Sequence, residues 1–151
     1  MDQLEFERLM AIAIRREVEA HEFYRDVAGR VKNVSVRRIF EDLAEQEMQH
    51  HDLLEKFRLD PSGAVKFTPP PDFKVAQTID DVPLSVDMKP ADAVALAMKK
   101  EQQAVVFYTS LSEMTDDIGV RDVFVNLAHM EKQHQHALES LFVDIGYPEA
   151  F

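Results

Sequence analysis

The sequence contains no cysteine. That excludes disulfides, thiolate zinc sites, iron–sulfur clusters and any four-thiolate iron site. Only four glycines and seven prolines occur in 151 residues, and several prolines cluster between 61 and 90. The long breaker-free segments on either side favour helix. Long apolar runs are absent too: none approaches the ~20 residues that span a bilayer. The first residues, MDQLEFERLM, carry charges throughout and have no apolar core, unlike a signal peptide. Basic excess is missing as well. Seventeen Lys and Arg stand against 28 Asp and Glu, a formal charge of −11. Nucleic acid and anionic membrane surfaces, which need basic patches, are therefore not expected partners. The expectation is a soluble cytoplasmic protein. Its acidic excess serves solubility, or places carboxylates inside where cations neutralise them.

The length suits one domain, 1–151, with a sizeable core. Residues 3–29 read as one amphipathic helix with Leu4, Leu9, Ile12, Phe23 and Val27 at helical spacing, ended by Gly29. Asn33 or Ser35 can cap a second helix over about 36–58, with Ile39, Phe40, Leu43, Leu53, Leu54 and Phe57 on its apolar face. A connection this short makes the two an antiparallel hairpin. Pro90 opens a third helix to about 114. Asp116, Asp117 and Gly119 mark a turn, and a fourth helix covers about 120–143. Residues 59–89 hold most of the prolines and show no helical period. A helix of about 26 residues is roughly 39 Å long, which about 12 extended residues cover. The middle segment can thus cross over along the bundle. The expected fold is all-α, a ferritin-like four-helix bundle of two antiparallel hairpins joined by a long crossover.

An internal repeat at an offset of 84 residues sorts the polar residues. EVEAHEFY (17–24) lies over EQQAVVFY (101–108), and VRRIFEDLAEQEMQH (36–50) over VRDVFVNLAHMEKQH (120–134). Over 11–60 against 95–144, 17 of 50 positions are identical. Shared helical composition alone gives roughly a tenth, so the chain reads as a duplicated hairpin. Glu17 pairs with Glu101, Glu47 with Glu131, His50 with His134 and Tyr24 with Tyr108. His21 faces Val105, Glu45 faces His129, His51 faces Gln135 and Asp52 faces His136.

The retained pattern is a lone glutamate followed 30 residues later by E-x-x-H, twice. Residues three apart share a helix face, so Glu47 with His50, and Glu131 with His134, can point at one spot. Glu17 and Glu101 can come level with these pairs. Four buried carboxylates without cations repel and are costly to desolvate. Two metal ions remove that cost, and oxygen with imidazole ligation suits iron or manganese and tolerates zinc. Tyr24 and Tyr108 follow Glu17 and Glu101 by about two turns and can hydrogen-bond the ligating carboxylates. His21, four residues after Glu17, is a candidate extra ligand. Glu45, His51, His129 and His136 are expected at the surface.

These residues resemble those of a rubrerythrin-like member of the ferritin-like di-iron carboxylate superfamily, across all four helices. The resemblance implies two iron ions bridged by Glu47 and Glu131. Glu17 and Glu101 are then terminal ligands, and His50 and His134 each bind one metal. Two departures stand out. Ala104 occupies the position where rubrerythrins proper carry a further glutamate, and without cysteine there is no rubredoxin domain. The family's ligand exchange and built-in electron relay are therefore not carried over.

The expected function is reduction of peroxide or dioxygen with electrons from an external donor. The alternatives are ferroxidase chemistry with iron binding or storage, and a metal-stabilised helical module without turnover. Classical ferritins add a short fifth helix, for which IGYPEAF is too short, so a homodimer is expected rather than a cage.

Overall fold

In the computed structural model, which describes residues 2–62 and 89–146, every regular element is a helix. They are α1 (Gln3–Arg30), α2 (Val34–Leu59), α3 (Pro90–Glu113) and α4 (Ile118–Gly146). The sequence dictates their ends through caps. The Asp2 carboxylate accepts from Glu5 N at 2.8 Å and starts α1. Asn33 accepts from Val36 N at 3.1 Å and starts α2, so Ser35 falls inside the helix. Pro90 occupies the first turn of α3, where its missing N–H costs nothing.

Gly29 does not stop α1. The helix continues to Arg30, and Val31 N still donates to Val27 O at 3.2 Å. Nor is Gly119 part of the turn between α3 and α4. Asp117 accepts from Val120 N at 3.1 Å, so α4 begins at Ile118 and takes Gly119 into its first turn. The two hairpin turns are built alike. Arg37 Nε donates to Val31 O at 3.1 Å, and its repeat partner Arg121 donates to Thr115 O at 2.9 Å.

Helix α1 lies along α2, and α3 along α4. Contacts between the hairpins fix their relative sense. Tyr24 meets Glu101 while Tyr108 meets Glu17, so α1 and α3 run antiparallel. His50 meets Glu131 while His134 meets Glu47, so α2 and α4 do likewise. It follows that α2 and α3 run parallel, with α2 ending at the end of the bundle opposite to where α3 begins. The crossover expected over 59–89 lies, apart from its ends, outside the described residues. No helix among the described residues is long and apolar enough to cross a membrane.

The core has three layers along the bundle axis. One apolar cluster holds Tyr24, Val27, Phe40, Leu43, Val94 and Leu138. The other holds Phe6, Met10, Leu54, Phe57, Phe124 and Leu127. Between them, at mid-helix on all four helices, lies a polar layer. That layer explains why the apolar face of α1 differs from expectation. Leu4 is 61% and Ile12 47% exposed, while Phe6, Met10, Ala13, Glu17 and Tyr24 are buried. The inward stripe passes through a glutamate, so counting apolar side chains alone turns the helix by about one residue.

Candidate metal centre

Glu17, Glu47, Glu101, Glu131 and His134 are fully buried, and His50 is 4% exposed. Each helix delivers its share for a local reason. On α1 and α3 the lone glutamate lies in the buried stripe that runs on through Tyr24 or Tyr108. On α2 and α4 the i, i+3 spacing of E-x-x-H sets both side chains on the inward face.

The donor atoms form two groups, each within 4.8 Å: Glu17, Glu47, His50 and Glu131, then Glu47, Glu101, Glu131 and His134. Glu47 and Glu131 belong to both. His50 Nδ1 lies 3.2 Å from Glu131, 3.7 Å from Glu17 and 4.0 Å from Glu47. His134 Nδ1 lies 3.6 Å from Glu101 and 3.7 Å from Glu47 and Glu131. The two imidazole rings are nearly parallel, 13° apart in plane with centroids at 6.0 Å.

The tyrosines tie the halves together. Tyr24 donates to Glu101 Oε1 at 2.7 Å, and Tyr108 donates to Glu17 Oε1. Each phenol thus holds the lone glutamate of the other hairpin. Burial and the nearby carboxylates push both phenols well above their ordinary range, so they stay protonated donors.

Two participants escape a reading by exact repeat identity. Arg16 Nη1 donates to Glu47 Oε2 at 2.7 Å and lies 3.5 Å from Glu17 and 3.7 Å from Glu131. Its repeat partner is Lys100, so a cation before the lone glutamate in both halves was the available signal. Gln46 Oε1 accepts from His134 Nε2, which leaves Nδ1 to face the carboxylates. Its repeat partner is Met130, so nothing in the repeat marks it.

The structure does not bring His21 into either donor group; its Nδ1 lies 2.7 Å from the Ala44 carbonyl. Glu45, His129 and His136 are exposed, and His51 is partly exposed against Asp52 at 3.0 Å.

The layer is electrostatically tense. Burial, then the charges of Glu131 and Glu17, push Glu47 well above the usual carboxylate range. Burial and Glu131 push Glu101 up to about 8. Burial opposes the charge on Glu17 and Glu131 too. There it is outweighed, through His50 and Arg16 at Glu17 and through Glu101, Arg16 and the imidazoles at Glu131, and both sit below the ordinary value. Burial likewise opposes charge on the imidazoles, yet the carboxylates raise His50 to about 10 and His134 to about 9. The raised carboxyls of Glu47 and Glu101 lessen the negative charge of the layer, and Arg16 and the two imidazoles offset what remains.

These residues fit metal ions. Each of the four glutamates keeps one buried oxygen without a hydrogen-bond partner: Glu17 Oε2, Glu47 Oε1, Glu101 Oε2 and Glu131 Oε2. His134 Nδ1 is a fifth such atom. An unpartnered buried polar atom is costly, and five converging on one layer are satisfied together by cations.

Comparison with known proteins agrees. The family model described as Rubrerythrin matches residues 8–142. A solved structure of a hypothetical protein from Pyrococcus furiosus is similar, with a TM-score of 0.65 and 27% identity, covering 96% of this chain and 90% of that one. No curated protein matches.

Proposed function

Since the chain belongs to the rubrerythrin family, we propose that it is a non-haem di-iron carboxylate protein that reduces peroxide or dioxygen. The observation that carries this reading is the set of five unpartnered donor atoms in one buried layer. Glu47 and Glu131, common to both donor groups, would bridge two ions; Glu17 with His50, and Glu101 with His134, would each complete one. A reduced iron pair held there supplies two electrons to a small oxidant, and manganese or zinc can occupy the same donors.

The chain's own residues do the rest. Tyr24 and Tyr108 hold Glu101 and Glu17 in orientation, and Gln46 fixes the ring of His134. The apolar clusters above and below exclude bulk water. A cleft of about 320 Å³ between α1 and α3, lined by Phe23 and Phe107, includes Arg16 in its wall and would serve as the way in for a small oxidant. Electrons would come from an external donor, because the sequence has no cysteine for an iron–thiolate relay. A cytoplasmic homodimer completes the proposal, with mass in solution as its check.

The test is anaerobic loading with ferrous ion followed by rapid mixing with peroxide and, separately, with oxygen. The proposal expects two irons per chain and fast oxidation, with two electrons consumed per chain, by at least one oxidant. Slow reaction with both would point to a non-catalytic module. Continued uptake of ferrous ion beyond two per chain would point to storage.

A further inference from the structure

The two donor groups are related by the repeat, but Arg16 serves them unequally. Its guanidinium contacts Glu17, Glu47 and Glu131, three of the four donors of the first group. Of the second group it contacts only the two shared glutamates. The shortest bond, 2.7 Å, is to Glu47 Oε2, and the side chain is only 17% exposed. A charge-assisted hydrogen bond of this length is among the strong ones.

The equivalent position in the other hairpin does not do the same. Lys100 is exposed and lies over the Phe23 ring at 4.9 Å, a cation–π contact in the wall of the cleft rather than in the polar layer. The internal cation therefore sits on one side of a donor set that is otherwise two-fold related.

Arg16 also has somewhere to go. It lines the cleft of about 320 Å³ together with Ala20, Phe23, Lys100, Ala104 and Phe107. Ala20 and Ala104, a repeat pair, contribute only small side chains to its lining. A long side chain at the inner end of such a cleft can turn outward by rotamer changes without moving a helix.

We propose that Arg16 is a displaceable internal counter-ion that makes the two metal pockets unequal. The inference rests on the metal site proposed above and deepens it. A cation entering among Glu17, Glu47, His50 and Glu131 meets a positive charge hydrogen-bonded to Glu47 and ion-paired with Glu17 and Glu131. It binds only as Arg16 gives up Glu17 and Glu47 and swings into the cleft. A cation entering among Glu47, Glu101, Glu131 and His134 meets that charge only at the shared glutamates. The second group therefore fills first and more tightly. In the absence of metal, Arg16 offsets part of the carboxylate repulsion and keeps the layer folded.

The test is anaerobic titration of the metal-free full chain with Mn²⁺, followed by calorimetry, in the wild type and in Arg16→Met and Arg16→Lys. Wild type should bind two ions with dissociation constants at least about tenfold apart, the scale of one hydrogen bond to a charged group. Arg16→Met should tighten the weaker site by about tenfold or more and change the tighter one by less than about threefold. Arg16→Lys, which keeps the charge, should remain close to wild type. Arg16→Met should also lower the melting temperature of the metal-free chain but not of the loaded one, whereas a merely structural role would lower both. Two ions of equal affinity in the wild type, or equal tightening of both sites in Arg16→Met, would overturn the inference while leaving the metal site standing. If Arg16→Met does not fold, Arg16→Gln takes its place with the same expected changes, and equal constants in the wild type overturn the inference by themselves. No binding at all would overturn both.

Discussion

Each hairpin presents the same three donors, but in different surroundings. Glu17, Glu47 and His50 on one side match Glu101, Glu131 and His134 on the other, as Tyr24 matches Tyr108. One step outward the match fails. Arg16 reaches into the layer where Lys100 lies over Phe23. Gln46 holds a ring of the opposite hairpin, and its partner position is Met130. His21 rests near a backbone carbonyl where the other half has Val105. Residues whose side chains must meet at one point stay alike in both halves. Those that set how easily each side is occupied have diverged.

The largest expected effect separates shared donors from unshared ones. Glu47→Ala or Glu131→Ala should weaken both metals and abolish at least one, because each residue belongs to both donor groups. Glu17→Ala and Glu101→Ala should each cost one metal and spare the other. Metal analysis after gel filtration decides, and equal losses in all four variants would break the distinction.

Next come the two apolar clusters. Phe40 and Phe124 are repeat partners, both fully buried, one in each cluster. Truncating either to alanine should cost about 3–5 kcal/mol in denaturant unfolding. A value under about 1 kcal/mol on one side alone would show that the halves are not equally packed.

Alkaline pH should weaken the metal-free chain. The folded layer raises His50 to about 10 and His134 to about 9. Their contribution is complete below the ordinary histidine value, about 6.5, and is lost as pH rises through 9 and 10. Glu101, raised to about 8, has the same sign and loses its share between about 4.5 and 8. The melting temperature of metal-free protein should fall from pH 7 to pH 10, and metal loading should flatten that slope. A flat profile without metal would contradict the reading of the layer.

Smaller effects probe the ties between hairpins. Tyr24→Phe and Tyr108→Phe each remove one hydrogen bond to a candidate ligand, and metal affinity should fall by about tenfold in each. The tyrosine on one hairpin should chiefly affect the metal completed by the other. At the lower end, Asn33→Ala and Asp117→Ala remove equivalent caps and should cost about 1 kcal/mol apiece in thermal unfolding.

Much of this was legible in the sequence because duplication states the same requirement twice. The four helices follow from breakers and caps, and the six buried donors from the pattern shared at an offset of 84. The face of α1 was not, because its inward stripe runs through Glu17 and apolar counting drifts toward Leu4 and Ile12. Arg16 was hidden because its partner is a lysine rather than an identical residue, and because it reaches the layer from the edge of the buried stripe. Gln46 has no counterpart at all, and its bond to His134 exists only once α2 and α4 are packed antiparallel. What the repeat cannot report is what the halves do differently.

The central claim is that Glu17, Glu47, His50, Glu101, Glu131 and His134 form one site for two metal ions. Anomalous diffraction from metal-loaded crystals, recorded at the absorption edge of the bound metal, tests it most directly. The account predicts two peaks per chain inside the polar layer. One lies among Glu17, Glu47, His50 and Glu131, the other among Glu47, Glu101, Glu131 and His134. A layer without anomalous density, with metal instead on pairs outside it such as His136 and Glu139, would contradict it.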